Sequence, residues 1–175
     1  MKPGGGSKKG SAFERKCARD LSTWWYGNGE CRLWRRPGSG LIKSLGINRH
    51  TGDIVPALNA TPPPCPWPFH CELKHYSDIG LHRLITEPDK SFIKKVWIKA
   101  NEEKRNDLSV ILLLKENRKP ELIFMEIETY TRLGLDAQEA QVVFGDAVGL
   151  PWATVRREAG CASSYLKNDN LNQGR

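Results

Sequence analysis

The stretch FHCELKHY, residues 69–76, decides how the rest of the chain is read. Phe69, Cys71 and Leu73 fall on one face and His70, Glu72 and Lys74 on the other, the period of two of a β-strand. A strand with one apolar face needs a cover, and the sequence upstream supplies one. Phe13, Cys17, Leu21, Trp24 and Trp25 recur at helical spacing, and Ser11-Ala-Phe-Glu14 has the form of a capping box. A helix is therefore predicted from Ser11, stopped by the glycines at 27 and 29. Trp24 and Trp25 fall on its core face.

Working outward, residues 31–35 and 53–57 read as short strands, with the turn-prone PGSG of 37–40 and a loop holding Gly46 and Gly52 between them. The segment PPPCPWP, residues 62–68, holds five of the eleven prolines and cannot join a central sheet. It is predicted to be a stiff surface connection that exposes Trp67. Downstream, Ile93, Val96, Trp97 and Ala100 mark one face of a helix over about 90–105. Residues 108–114 read as a buried strand and 121–128 as another after the turn at 117–120, while 136–144 reads as a helix. This order predicts an α/β fold, a single domain over residues 11–160 with a central mixed β-sheet flanked by helices. A flexible basic arm (1–10) and a polar C-terminal tail (161–175) are predicted to flank it.

Composition excludes several classes. At 175 residues, 39% hydrophobic and 27% charged, the chain can bury a sizeable core without staples. The longest aliphatic run, Val110–Leu114, is far short of the roughly 20 residues of a membrane helix, and no signal-like apolar stretch follows the first lysines. The expectation is a cytoplasmic protein (host cytoplasm if viral) with no membrane partner. Five cysteines without a C-x-x-C pair read as reduced thiols, and His70, His75 and His82 lack the cysteine partners of a zinc site. The charge is uneven. Residues 1–52 hold eleven Lys and Arg against three acidic residues, a net of +8, whereas the whole chain carries +7. A basic region so concentrated points to a polyanion partner.

Two features carry chemistry. Glu72 and Lys74 share one strand face about 7 Å apart, and Asp53, on a neighbouring short strand, can bring a second carboxylate there. Two carboxylates with waters suit Mg²⁺, which would stabilise charge on a phosphate, while the lysine offers a compact positive charge. Alone, Glu-x-Lys is more often a salt bridge on a solvated sheet face. Arg35, Arg36 and Lys43 lie beside a Gly-Ser-Gly loop whose amides can approach a phosphate.

The segments KKGSAFERKCARDL (8–21), LWRRPGSG (33–40), GDIVPA (52–57) and FHCELKHY (69–76), in that order, resemble the motif series of the archaeal-type Holliday junction resolvases. These belong to the PD-(D/E)XK nuclease superfamily, and phages carry similar enzymes. The later KENRKPELIFM (115–125) resembles the closing strands of phage-borne nucleases of this group. The resemblance implies a restriction-endonuclease-like fold and cleavage of branched DNA, the four-way junction above all, by a homodimer with Mg²⁺ (or Mn²⁺) and no nucleotide cofactor. It implies Glu14, Asp53, Glu72 and Lys74 as catalytic residues. Asp53 and Glu72 are then metal ligands, joined by the Leu73 carbonyl and by Glu14 directly or through water. Arg15, Arg35, Arg36, Ser39 and Lys43 would contact DNA. The dimer's apolar surface would come from helix 90–105 or from the strand over 122–127. Gly52 stands where the family has proline, which should leave the aspartate in place. Helix 90–105 lacks the glutamine many members carry, a place that Lys94, Lys99 or Lys115 would fill. Two other readings stand beside this one. The first is a nuclease of the same fold with another task, such as genome degradation, fork trimming or restriction. The second is a basic DNA-binding module whose catalytic face has decayed.

Overall fold

The computed structural model describes residues 5–27, 32–36, 52–57, 66–135 and 140–158. Helix α1 (Gly5–Tyr26) lies across one face of a five-stranded sheet built from β3 (Phe69–Tyr76), β4 (Ser109–Glu116), β5 (Glu121–Glu126), β6 (Val142–Phe144) and β7 (Ala147–Pro151). The strand order is β3-β4-β5-β7-β6; β3 and β4 run parallel and the remaining pairs antiparallel, a mixed sheet as expected. A two-stranded unit, β1 (Leu33–Arg35) with β2 (Ile54–Pro56), sits beside β3 and meets it at a parallel bridge between Gly52 and Cys71. The crossover from β3 to β4 carries α2 (Arg83–Thr86), a 3₁₀ turn (Pro88–Lys90) and α3 (Phe92–Glu103).

Alternation along the strands makes two cores. Phe13, Cys17, Leu21, Trp24 and Trp25 of α1 pack on Phe69, Cys71 and Leu73, with Ile111, Leu113, Ile123 and Met125 beyond them. On the other face, Ile93, Trp97 and Ala100 of α3 cover Val110, Leu112, Leu114 and Phe124. Each fully buried Leu, Ile or Phe side chain contributes roughly 1.5–3 kcal/mol, so the sheet is held from both sides and its edge strand β3 is a firm platform. Helix α4 (Ile127–Arg132) and α5 (Trp152–Glu158) follow β5 and β7. No helix among the described residues is long and apolar enough to cross a membrane.

Several sequence expectations are corrected. The first helix begins at Gly5 rather than Ser11, so residues 5–10 of the supposed flexible arm are helical. Once nucleated by its packed C-terminal turns, a helix extends at little further cost, even through poor formers. Glu14 is thereby removed from any capping role. The strand at 121–128 ends at Glu126, where α4 begins. Residues 142–144, expected to close a helix, are strand β6; Gly145 (φ +57°) and Asp146 form the two-residue turn into β7, with glycine where a type II′ turn demands it. Residues 140 and 141 are also not helical, the Gln141 N–H donating to the Gly149 carbonyl at 3.0 Å, while 136–139 and the polar tail lie outside the described residues. Trp67 is buried, not exposed: its ring meets Trp25 and Phe69 edge-on, and the Trp25 indole N–H donates to the Pro66 carbonyl. The end of the proline segment is thus core lining. Strand β5 is an inner strand, between β4 and β7, and Ile127, the last residue of the 122–127 segment, starts α4 and is exposed.

Candidate active site

Asp53 reaches the sheet because Gly52 lets the chain touch β3. Gly52 has φ +95°, and a Cβ there would lie 2.7 Å from the Cys71 carbonyl oxygen and 2.8 Å from the Cys71 nitrogen. Proline, fixed near −65°, is closed to this conformation, so the departure from the resembled family's residue has a local cause. From this point the Asp53 N–H donates to the Cys71 carbonyl (2.6 Å), and the Arg36 N–H donates to the Asp53 carbonyl (2.7 Å). The Asp53 carboxylate accepts from the Leu73 N–H through Oδ2 at 2.8 Å. A strand residue sends its N–H and C=O to the same edge, so the Leu73 carbonyl also faces the Asp53 side.

Burial pushes the Asp53 carboxyl up to about 6, and the neighbouring Glu72 charge pushes the same way. The Leu73 hydrogen bond and the Lys74 charge oppose both. Glu72 and Lys74 project from the α3 face of β3, where Lys74 Nζ donates to Glu72 Oε1. The salt bridge that an isolated Glu-x-Lys would make is therefore present. Burial pulls the Lys74 ammonium down, but its bond to Glu72 and the charges of Glu72 and Asp53 outweigh this and leave it above the ordinary lysine range. It is a cation at neutral pH.

Glu14, from α1, pairs with Arg35 of β1, Nε donating to Oε2. Its charge still reaches Asp53 and adds to the upward push there. Yet among the described residues no three His, Cys, Asp or Glu side chains are gathered as a metal site. The structure brings Asp53, Glu72 and Lys74 together and holds Glu14 at the side on an arginine. Arg15 is exposed on α1, and Arg36 is half-buried after β1. Ser39 and Lys43 lie outside the described residues. The three lysines suggested in place of the absent glutamine are engaged elsewhere: Lys94 with Asp89, Lys99 with Glu103, and Lys115 with the Lys119 carbonyl.

Two neighbours were not singled out by the sequence for this site. His70 is buried two residues before Glu72, and burial pulls its imidazole down towards the neutral form. Tyr76 lies two residues beyond Lys74 on the same face, 45% exposed, with Phe92 edge-on at 5.0 Å. Extending the period of two from Glu72 and Lys74 in both directions names each of them. His75 points to the other face, against Phe13 and bonded to Asn117.

A mixed sheet covered by helices on both faces, with an aspartate docked on the edge strand that carries Glu-x-Lys, is the arrangement of the PD-(D/E)XK nucleases. Residues 5–148, most of the chain, match the family model described as "Phage putative PDDEXK endonuclease", and the chain belongs to that family of nuclease hydrolases. No curated protein and no solved structure matches it.

Proposed function

We propose that this nuclease is a divalent-metal-dependent endodeoxyribonuclease acting on branched DNA, a Holliday junction resolvase that makes paired nicks as a homodimer. The observation that carries the metal-dependent chemistry is the half-buried Asp53 carboxylate, pinned to the Leu73 N–H beside Glu72 and Lys74. Two carboxylates forced together in a half-buried site raise one pKa, and a cation between them removes that penalty. The donors available are all oxygen (Asp53, Glu72 and the edge carbonyl of Leu73), which suits Mg²⁺ or Mn²⁺. A cation held there would stabilise phosphate charge and lower the pKa of a bound water.

The chain's own residues supply the rest. The Lys74 ammonium, kept charged by its carboxylate neighbours, faces the developing negative charge as a water oxygen bonds to phosphorus and one P–O ester bond breaks. The intact set also speaks against a decayed binding module, since clustered carboxylates repel DNA unless a cation neutralises them. Arg15, Arg35 and Arg36 would hold the phosphate backbone, with Ser39 and Lys43 extending this basic region. Support for junctions comes from the order and residues of the four N-terminal motifs. A nuclease of the same fold acting on forked or linear DNA is the second reading, equally compatible with a phage endonuclease family. Side-by-side digestion of labelled four-way junctions, forks and linear duplex, with and without Mg²⁺, tests both. Metal-dependent, symmetric nicking of the junction is expected; equal cleavage of all three would shift the assignment to the second reading.

A further inference from the structure

Glu14 and Arg35 are each expected to serve a different ligand, the first a metal and the second a phosphate. In the structure they serve each other. Both are accessible to exchange, with side chains 23% and 44% exposed. Arg35 sits on the same two-stranded unit as Asp53, opposite Ile54 in register, while Glu14 sits on α1. The pair therefore bridges the helix and the unit that delivers Asp53. Glu14 is near enough to act electrostatically on Asp53, but its carboxylate is drawn towards the guanidinium, and no three-carboxylate cluster forms among the described residues.

We propose that Arg35 is a positioning residue that couples DNA binding to metal binding by exchanging Glu14 for a phosphate. This rests on the metal-dependent reading above. A guanidinium fork suits a phosphate at least as well as a carboxylate. When a DNA phosphate takes Arg35, Glu14 is released beside Asp53 and Glu72 as a third oxygen donor for the cation. When the cation draws Glu14, Arg35 is released for phosphate. Linkage makes the two effects equal in size. DNA-free protein then holds the cation weakly, and the full ligand set forms on substrate.

The test counts bound Mn²⁺ by electron paramagnetic resonance on the full chain, independently of cleavage. Without DNA, Arg35→Gln is expected to bind Mn²⁺ more tightly than wild type, by about fivefold or more, and adding Glu14→Gln should abolish that gain. In a Lys74→Ala background, which spares the DNA, a four-way junction should tighten Mn²⁺ binding; the further change Arg35→Gln should remove this effect and Arg35→Lys restore part of it. Unchanged DNA-free affinity in Arg35→Gln, or a gain that survives Glu14→Gln, would overturn the coupling. Should Arg35→Gln fail to fold, Glu14→Gln alone decides. It frees Arg35, so metal-free DNA affinity should rise and the log–log salt slope steepen by about 1; no change in either would overturn the exchange. Asp53→Asn separates the two levels. If it binds Mn²⁺ as wild type does, the metal reading itself fails; if it loses Mn²⁺ while Arg35→Gln changes nothing, only the coupling fails.

Discussion

Asp53 is where the tension between folding and chemistry is greatest. Its carboxyl, pushed up to about 6 by burial and by Glu72, ionises near 4 in the unfolded chain. Between about pH 4 and 6 the folded state binds more protons than the unfolded, so this residue's contribution to stability declines as pH rises and is lowest above 6. The charged form costs on the order of 3 kcal/mol. In EDTA, Asp53→Asn should melt several degrees above wild type at pH 7.5 and level with it at pH 4. Adding Mg²⁺ should close that gap at pH 7.5 by stabilising only the wild type. Nicking in Mg²⁺ should collapse by orders of magnitude in Asp53→Asn, Glu72→Gln and Lys74→Ala; near wild-type cleavage in either carboxylate variant would remove them from the chemistry. Tyr76 invites a gentler test. An exposed ring braced by Phe92 beside Lys74 can stack on a base. Tyr76→Ala should raise KM for DNA roughly 5- to 100-fold with kcat largely kept, and Tyr76→Phe should restore it.

Among the elements, the approach of β2 to β3 has the least redundancy. It depends on Gly52, where any side chain meets the Cys71 backbone and any L-residue is strained. Gly52→Ala should move Asp53 off the Leu73 N–H and lower cleavage by about 10²-fold while the far-UV circular dichroism of the sheet and helices persists. The site's residues were legible because side-chain alternation in 69–76 is local and because four motifs in order constrain one another. Gly52 was also visible, but not its necessity, since nothing in the sequence gives the distance between two backbones. The Glu14–Arg35 pair spans 21 residues and was hidden behind a capping box that the longer helix makes irrelevant. Trp67 was misjudged because proline content speaks to backbone hydrogen bonding, not to what a neighbouring indole packs against. Strand β6 was misread because its three residues are too few to show a period, although the Gly145-Asp146 pair carried the turn signal.

For the whole molecule, the geometry of the substrate bears on how many copies act on it. An exchange point presents two scissile phosphates related by a two-fold axis, and an isologous dimer places one site on each. Linear duplex offers only one engagement at a time, so a dimer would gain on the junction through effective concentration without reading any base. Of the two surfaces the sequence offered for such a contact, β5 is enclosed by β4 and β7. Helix α3 remains: Ile98 is 46% exposed on it, beside an open hollow lined by Trp97, Asn101, Glu102 and Asp146. The Asp146 carboxylate there accepts from the Trp97 indole N–H at 3.0 Å, which fixes that ring against the sheet. Sedimentation should therefore report about twice 19.8 kDa, and four-way junction should outcompete duplex of equal length. Ile98→Glu, on an exposed helical surface, should leave folding intact and shift the protein to monomer. Its junction preference should fall while single nicks persist, because each protomer keeps its own Asp53, Glu72 and Lys74. A wild-type monomer that cuts junction and duplex equally would remove the two-fold argument and leave a general phage nuclease.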